Sequence, residues 1–399
     1  MQSYCALKDH RHNTAVGNPA LLNGQIATPA YVILEERLIG ALDAFDVIRR
    51  ETGCSLLFAM KSSSLAAALE MMRGRVDGFS ASSPFEARLG RAILGGAGTV
   101  HLTSPGLRAD EIDAVNEVCG YLSFNSLSQW ERLRGRTSAA LACGLRVNPG
   151  ISYVKDARYD PCRARSKLGE PLAAVIRLLE ARDGRLDRIS GIHFHTNCDS
   201  ADYAQLLATV RAVEPLLQRF RPPLEWVNAD GGYLLENARN LDALYEAVDL
   251  LRTRCAPRVF IEPGSALIRN GVCLVASVAD LFIREGRRTA VLDTTVNHMP
   301  EIFEYGFRPV ISEEDRTGRY AYTLAGATCL AGDLFGAFRF AAPLEVGSRI
   351  IFEGMGSYTL AKAHMFNGIN MPSIYALGPE GRVRLVRRFG YEDFLARWS

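Results

Sequence analysis

Ser55-Leu56-Leu57-Phe58-Ala59-Met60-Lys61-Ser62-Ser63-Ser64 is an apolar run stopped by a lysine and three serines. A short continuous run of this kind predicts a strand buried on both faces, here over 54–61. Its C-terminal end delivers an amine to the lip of whatever sheet the strand joins. An amine in that place can stay solvated as an ordinary ammonium, or it can be desolvated and condense with an aldehyde. What the other strand ends carry decides between the two.

Working outward, similar runs recur at 77–82, 99–104, 121–125, 140–148, 188–196, 224–232 and 258–264. Between them lie amphipathic stretches with helical spacing: Leu65–Val76, Pro84–Leu94, Ala109–Val118, Leu172–Ala181, Tyr203–Phe220 and Leu241–Arg254. Eight strands alternating with helices over roughly 210 residues predict an α/β fold, a TIM-like (β/α)8 barrel. An open doubly wound sheet would also alternate, but the count of eight and the polar strand ends favour the barrel. Beyond about residue 265, Val272–Ile283, Thr289–Asp293, Tyr320–Leu324 and Arg349–Phe352 read as strands, and helical spacing returns only at Tyr358–Phe366. The expected organisation is an N-terminal arm at 1–29, a barrel at 30–265 and a C-terminal β-rich domain at 266–399. The polar loop Asn148–Lys167 is of a length that usually carries function.

The 399 residues are 48% hydrophobic and 23% charged, enough for a large core and a second domain. A net charge of +2 argues against nucleic acid or an anionic membrane as partner. No signal-peptide layout or membrane-length apolar run is present, so a cytoplasmic protein is expected. Nine scattered cysteines without a Cys-x-x-Cys pair predict free thiols in a reducing compartment, with no zinc site. His10 and His12 lack cysteine or acidic partners, and no metal is expected.

The predicted strand ends carry Lys61, Ser80-Ala81-Ser82-Ser83, Arg146-Val147-Asn148, His193-Phe194-His195, Asp230-Gly231-Gly232 and Glu262-Pro263-Gly264. Singly, each has an ordinary reading: a buried histidine satisfying a backbone group, a Gly-Gly turn, a loop start. In one barrel mouth they supply an amine, a flat ring, a glycine-lined anion cradle and an acid. Pyridoxal phosphate needs that set: a lysine for its aldehyde, close backbone N–H groups for its phosphate, and a carboxylate for its ring nitrogen.

Several stretches carry a family resemblance: Thr28-Pro29-Ala30-Tyr31-Val32, Phe58-Ala59-Met60-Lys61, Leu145-Arg146-Val147-Asn148-Pro149-Gly150, Tyr159-Asp160-Pro161-Cys162, Ser166-Lys167-Leu168-Gly169, Gly191-Ile192-His193-Phe194-His195, Glu262-Pro263-Gly264, Cys329-Leu330-Ala331-Gly332-Asp333, and Tyr358 with Phe366-Asn367-Gly368. From about Pro29 to about Ile374 the chain resembles the fold-type III pyridoxal-phosphate decarboxylases, with an alanine racemase-like barrel. Within them it is most similar to the carboxynorspermidine/carboxyspermidine decarboxylases. The resemblance implies that Lys61 forms the Schiff base, His195 stacks on the cofactor ring and Glu262 pairs with its nitrogen. Gly231, Gly232, the backbone at Gly264 and the Tyr358 hydroxyl would hold the phosphate, and Arg146 would sit near the cofactor. Cys329 would reach in from the other subunit of a homodimer with shared active sites and protonate the carbanion left by CO2. Asp333 and Arg308 would lie on the substrate side.

The chain departs from that pattern where substrate choice is made. The family's run of three glycines begins here with Asp230, and Ser265 replaces an acid after Glu-Pro-Gly. The stretches Gly354-Met355-Gly356-Ser357 and Thr294–Arg308 also differ. A carboxylate beside a phosphate is unfavourable unless it turns away or pairs with a cation. The expected activity is decarboxylation of a carboxylated polyamine. The alternatives are a diaminopimelate- or ornithine-like substrate, another natural-product intermediate, or a non-catalytic regulatory relative. A racemase would need a second base, for which no pressing candidate stands out.

Overall fold

The computed structural model describes residues 19–399, so the first eighteen residues of the arm expected at 1–29 lie outside the described chain. Two units are present: residues 42–266, and a second built from residues 19–41 and 267–399. The first strand, β1 (Ala30–Leu34), belongs to the second unit. It pairs antiparallel with β11 (Val272–Arg284) and parallel with β16 (Ser373–Leu377). Residues 30–41 are therefore not part of the barrel, as the boundary at residue 30 had placed them. All five β1 residues are buried, and an apolar strand covered on both faces requires hydrogen-bonding partners on both edges. The helix Glu35–Thr52 then carries the chain into the first unit.

The barrel is formed by β2 (Ser55–Ala59), β3 (Gly78–Ala81), β4 (Thr99–Thr103), β5 (Tyr121–Phe124), β6 (Ala142–Asn148), β8 (Ile189–Phe194), β9 (Trp226–Asn228) and β10 (Arg258–Ile261), with a two-residue β7 (Glu170–Pro171) beside β6. All eight pair in parallel, in the order β5-β4-β3-β2-β10-β9-β8-β6, and β5 pairs with β6 to close the ring. Each of the eight lies inside a run read from the sequence. The helix Pro84–Leu94 starts where its own residues dictate: Ser83 accepts from the Glu86 N–H at 3.2 Å, and Pro84 fills the first turn. The helix Leu127–Leu133 was not read from sequence; Ser126 caps it in the same way.

The barrel floor is aromatic. His101 and Tyr121 stack at 4.1 Å, with Trp226 and Phe260 edge-on around them. Trp226 occupies space left by two glycines: a Cβ on Gly191 would fall 2.0 Å from its ring, and one on Gly144 2.4 Å away. Filling the floor this way confines open space to the other end, where the strands' C-termini lie.

The second unit is an eight-stranded sheet in the order β14-β13-β12-β11-β1-β16-β17, with β15 also on β11. Here β12 is Arg287–Leu292, β13 Tyr320–Ala325, β14 Leu334–Phe340, β15 Arg349–Phe352 and β17 Val383–Arg387. The helical stretch expected at Tyr358–Phe366 is only Thr359–Lys362 followed by a 3-10 turn at Phe366–Gly368. Among the described residues no helix is long and apolar enough to cross a membrane. Among the described residues eight cysteines are free, and of these only Cys198 and Cys329 are exposed.

Candidate active site

The parallel register of the barrel assembles the site. Arg146 on β6 lies opposite His193 on β8, and His193 lies opposite Asn228 on β9. Past the strand ends, the Glu262 N–H donates to the Asp230 carbonyl at 2.7 Å, and the Ala59 N–H to the Pro263 carbonyl at 3.1 Å. These contacts bring the tips of β2, β9 and β10 together around a cavity of about 270 Å³. Lys61, Arg146, His193, His195, Asp230 and Glu262 line it. The long loop adds Arg158, Tyr159 and Asp160, which is the functional use its length suggested.

Lys61 sits one turn beyond the strand, in the 3-10 segment Met60–Ser62, with its side chain 38% exposed. The turn is pinned by the Ser62 hydroxyl, which donates to the Ala59 carbonyl at 2.7 Å. The amine therefore projects from a rigid element into the mouth rather than lying along the apolar wall. Its nitrogen is 3.6 Å from Asp230 Oδ1.

Glu262 is buried, and neutral donors grip both its oxygens. The Ser80 hydroxyl donates at 2.7 Å and the Asn228 amide at 2.5 Å. Burial raises its proton affinity, and the neighbouring charge of Asp230 raises it further. An acid held in that state gains most from a cationic N–H placed against it.

His193 lies on β8 and His195 just past its end, and both line the cavity. His193 Nε2 lies 2.8 Å from Asp230 Oδ2, and its Nδ1 lies 3.1 Å from the Thr103 hydroxyl. With the proton on Nε2 facing the carboxylate, Nδ1 accepts from Thr103. His195 stands at the cavity wall, with burial holding its pKa down to about 4, so it is a neutral ring at physiological pH. Its Nδ1 is 3.2 Å from Asp230 Oδ1, off the line of a full hydrogen bond. The Cys162 thiol donates to the His195 carbonyl at 3.3 Å and is itself pushed up to about 12 by burial. That thiol positions the histidine and is no nucleophile.

Arg146 is buried and feels Asp230 and Glu262 through charge alone, with no hydrogen bond to either. A buried guanidinium with its donors unspent calls for an anionic acceptor in the cavity.

Asp230 is the departure that sequence reading left unexplained. Its carboxylate turns away from the glycines' outer side and into the cluster, toward both imidazoles and Lys61. It is the side chain that pairs with a cation, which removes the objection to an acid in this position. Burial opposes its ionisation, but His195 and Lys61 beside it and the His193 hydrogen bond outweigh this and hold it well below the usual carboxylate range. Gly231 and Gly232 follow. A Cβ on Gly231 would fall 2.1 Å from the Glu262 carbonyl, and one on Gly232, at φ +87°, 2.2 Å from the Asn197 carbonyl. Only glycine lets the chain pass so close to both neighbours. Gly264 lies 3.1 Å, by its missing Cβ, from Ser62 Cβ.

Pyridoxal phosphate fits this donor set. The cavity offers an amine, a neutral ring at its wall, a rigid buried acid hydrogen-bonded to neutral donors, and a buried guanidinium hydrogen-bonded to neither neighbouring acid. His193, Ser80 and Asn228 were not singled out for roles in the sequence. The alternation His193-Phe194-His195 was the available signal for the first. Ser80 and Asn228 act only through register and had none.

Four further candidates lie in the second unit. Cys329 is exposed and its thiol donates to Asn367 Oδ1 at 3.2 Å. Asp333, four residues on, is buried. It accepts from the Val296 N–H at 2.8 Å and the Thr328 N–H at 3.0 Å, and also binds the Thr328 hydroxyl. Its carboxylate thus ties the Val296–His298 turn to the loop that carries Cys329. Arg308 makes a two-point pair with Glu314 at 3.0 and 2.5 Å and covers the Phe338 ring at 4.2 Å. Tyr358 takes a left-handed conformation, φ 66°, at the start of Thr359–Lys362.

A closed parallel barrel with a lysine, an acid and a histidine converging at its C-terminal face, followed by a β-sheet unit, defines the class of fold-type III pyridoxal-phosphate enzymes. The chain belongs to the pyridoxal-dependent decarboxylases: the profile of that family, described by its C-terminal sheet domain, matches residues 152–356. It is 33% identical over 376 residues to a carboxynorspermidine/carboxyspermidine decarboxylase of Herminiimonas arsenicoxydans, covering 94% of this chain and 100% of that one. It is 34% identical over 386 residues to a carboxyaminopropylagmatine decarboxylase of Synechocystis, covering 95% and 97%. The crystal structure of carboxynorspermidine decarboxylase from Campylobacter jejuni, complexed with norspermidine, superposes with a TM-score of 0.82 at 26% identity, over 93% of this chain and 100% of that one.

Proposed function

We propose that this decarboxylase removes the α-carboxylate of a carboxylated polyamine of the carboxynorspermidine/carboxyspermidine type, giving the polyamine and CO2. The observation that carries the reading is the convergence of Lys61, His195 and Glu262 on one cavity, in a chain whose relatives named above act on carboxylated polyamines. The cofactor, when bound, supplies an electron sink for the pair released at the α-carbon. Lys61 would hold it through its side-chain amine. His195, neutral and braced by Cys162 through its carbonyl, packs against the ring face. Glu262 accepts from the ring N–H without moving, because Ser80 and Asn228 already fix both its oxygens. Arg146 would offer its donors to an anionic oxygen, and Gly232 and the backbone at Gly264 would serve the phosphate, the Gly231 N–H being already given to Asp230 Oδ1. The functional unit is a cytoplasmic homodimer in which Cys329 of the partner subunit returns a proton to the α-carbon. Asp333 holds the Cys329 turn and, with Arg308, forms the substrate side.

A second reading is favoured by the Synechocystis relative: a substrate ending in a guanidinium instead of an ammonium. Release of CO2 from a panel of carboxynorspermidine, carboxyspermidine, carboxyaminopropylagmatine, diaminopimelate and ornithine separates the readings. Turnover of a carboxylated triamine at least tenfold faster than diaminopimelate or ornithine supports the first. A preference for either amino acid refutes the polyamine assignment.

A further inference from the structure

Asp230 occupies a backbone conformation, φ 51°, that a glycine adopts without penalty and a larger residue adopts at a cost. Two bonds hold it there: its N–H donates to Asn228 Oδ1 at 2.8 Å, and its own Oδ1 accepts from the Gly231 N–H at 2.7 Å. A side chain retained in a strained position and buried to 2% exposure points to use of that side chain. The remaining contacts show what is used. Oδ2 meets His193 Nε2 at 2.8 Å; Oδ1 faces His195 Nδ1 at 3.2 Å and Lys61 Nζ at 3.6 Å. One carboxylate thus touches the nitrogen that bonds the cofactor and the imidazole proposed to cover the cofactor's face.

We propose that Asp230 is a positioning residue that acts as counter-ion to the Lys61 nitrogen and as the brace between His193 and His195, so that it sets the proton affinity of the nitrogen linking Lys61 to the cofactor. The inference rests on the cofactor reading above. Other charged groups face the same nitrogen from the surrounding elements. Glu262 follows β10, Arg146 lies on β6, and Glu86 in the helix after β3 feels Lys61. His193 and His195 approach from β8. Asp230 lies within ion-pair distance of Lys61, so its charge is one whose removal this nitrogen feels directly. Glu262 keeps its role at the opposite end of the ring. Position 230 therefore carries a second carboxylate with a task separate from that of Glu262.

The test uses full-length protein loaded with pyridoxal phosphate, wild type against Asp230→Asn and Asp230→Gly. The readout is the pH midpoint of the cofactor's near-ultraviolet to visible absorption change, which reports protonation of the linking nitrogen and needs no substrate. An opposite charge at such a distance moves a proton affinity by about 1–3 pH units, and partial exposure of Lys61 places the expectation at the low end. Both variants should bind the cofactor and show the midpoint lowered by about 1 unit, a tenfold change in proton affinity. Asp230→Glu, which restores the charge, should recover at least half of the shift. A midpoint unchanged in both neutral variants overturns the proposal. The glycine variant relieves the backbone strain, so it decides the matter should the asparagine variant fail to fold. Failure of the cofactor reading itself looks different: wild type would then show no cofactor absorption at any pH.

Discussion

Replacing Glu262 by glutamine isolates charge from shape in the group proposed to govern the ring nitrogen. The two side chains are isosteric, and the pocket can accept the exchange. The glutamine carbonyl keeps the Asn228 donor now at 2.5 Å, and the Ser80 hydroxyl, now donating at 2.7 Å, can rotate to accept from the new amide. What is lost is one charge-assisted hydrogen bond to a cationic N–H, worth about 1.5–3 kcal/mol. If that bond acts fully in the transition state, kcat falls by roughly 10- to 100-fold, at 1.36 kcal/mol per decade. The assay is CO2 release at saturating substrate, with cofactor occupancy fixed by absorbance so that weakened binding cannot mimic a slower step. Stability of the cofactor-free protein gives an independent check. Burial and Asp230 raise the folded-state proton affinity of Glu262, so its ionised form opposes folding as pH rises through that range. Glu262→Gln should therefore be at least as stable as wild type at pH 8, with the advantage shrinking as the pH falls and Glu262 takes up its proton. A kcat within about threefold of wild type at full occupancy would refute the assignment of Glu262 to the ring nitrogen.

Other outcomes follow from the same structure. Gly191→Ala puts a methyl 2.0 Å from the Trp226 ring, and such overpacking should cost about 1–3 kcal/mol in denaturant unfolding; an unchanged midpoint would mean that the floor is looser than described. Glu313 is pushed up to about 7 by burial, so its ionisation weakens folding between its usual range and neutrality, and Glu313→Gln should stabilise the protein by roughly 3 kcal/mol at pH 8 but little near pH 4. Equal gains at both pH values would remove titration as the cause. Cys329→Ala should retain cofactor absorption while slowing turnover or misplacing the proton, whereas loss of the cofactor would make the thiol structural. Mixed dimers of Lys61→Ala and Cys329→Ala subunits should regain activity, since one of their two sites is complete; the absence of any recovery counts against a shared site.

The barrel was legible because its strands are apolar on both faces and its helices amphipathic, so two periodicities alternate eight times. That Lys61, His195 and Glu262 line one cavity was legible because all three lie at or just past the C-terminal ends of barrel strands; singly, each had an ordinary reading. Residues 30–34 fell within the barrel only through the boundary drawn at residue 30, without being read as a strand; their partners, β11 and β16, place them in the other sheet. Strands β14 and β17 were missed because they are the edges of their sheet and have mixed patterns, such as the alternation of Leu334–Phe340 interrupted by Gly336; β16, interior and buried, was simply not read from its short apolar run. Asp230 was recognised as anomalous, but its direction was not readable: a left-handed backbone angle turned a carboxylate expected near the phosphate toward two imidazoles and an amine.

The central claim is that Lys61 bonds the cofactor, and it can be measured at one atom. Protein incubated with pyridoxal phosphate is reduced with borohydride, digested, and mapped by mass spectrometry. The account predicts a single reduced cofactor adduct, on the peptide carrying Lys61, and none there in Lys61→Ala. An adduct on another lysine at full occupancy, or none in wild type, would contradict it.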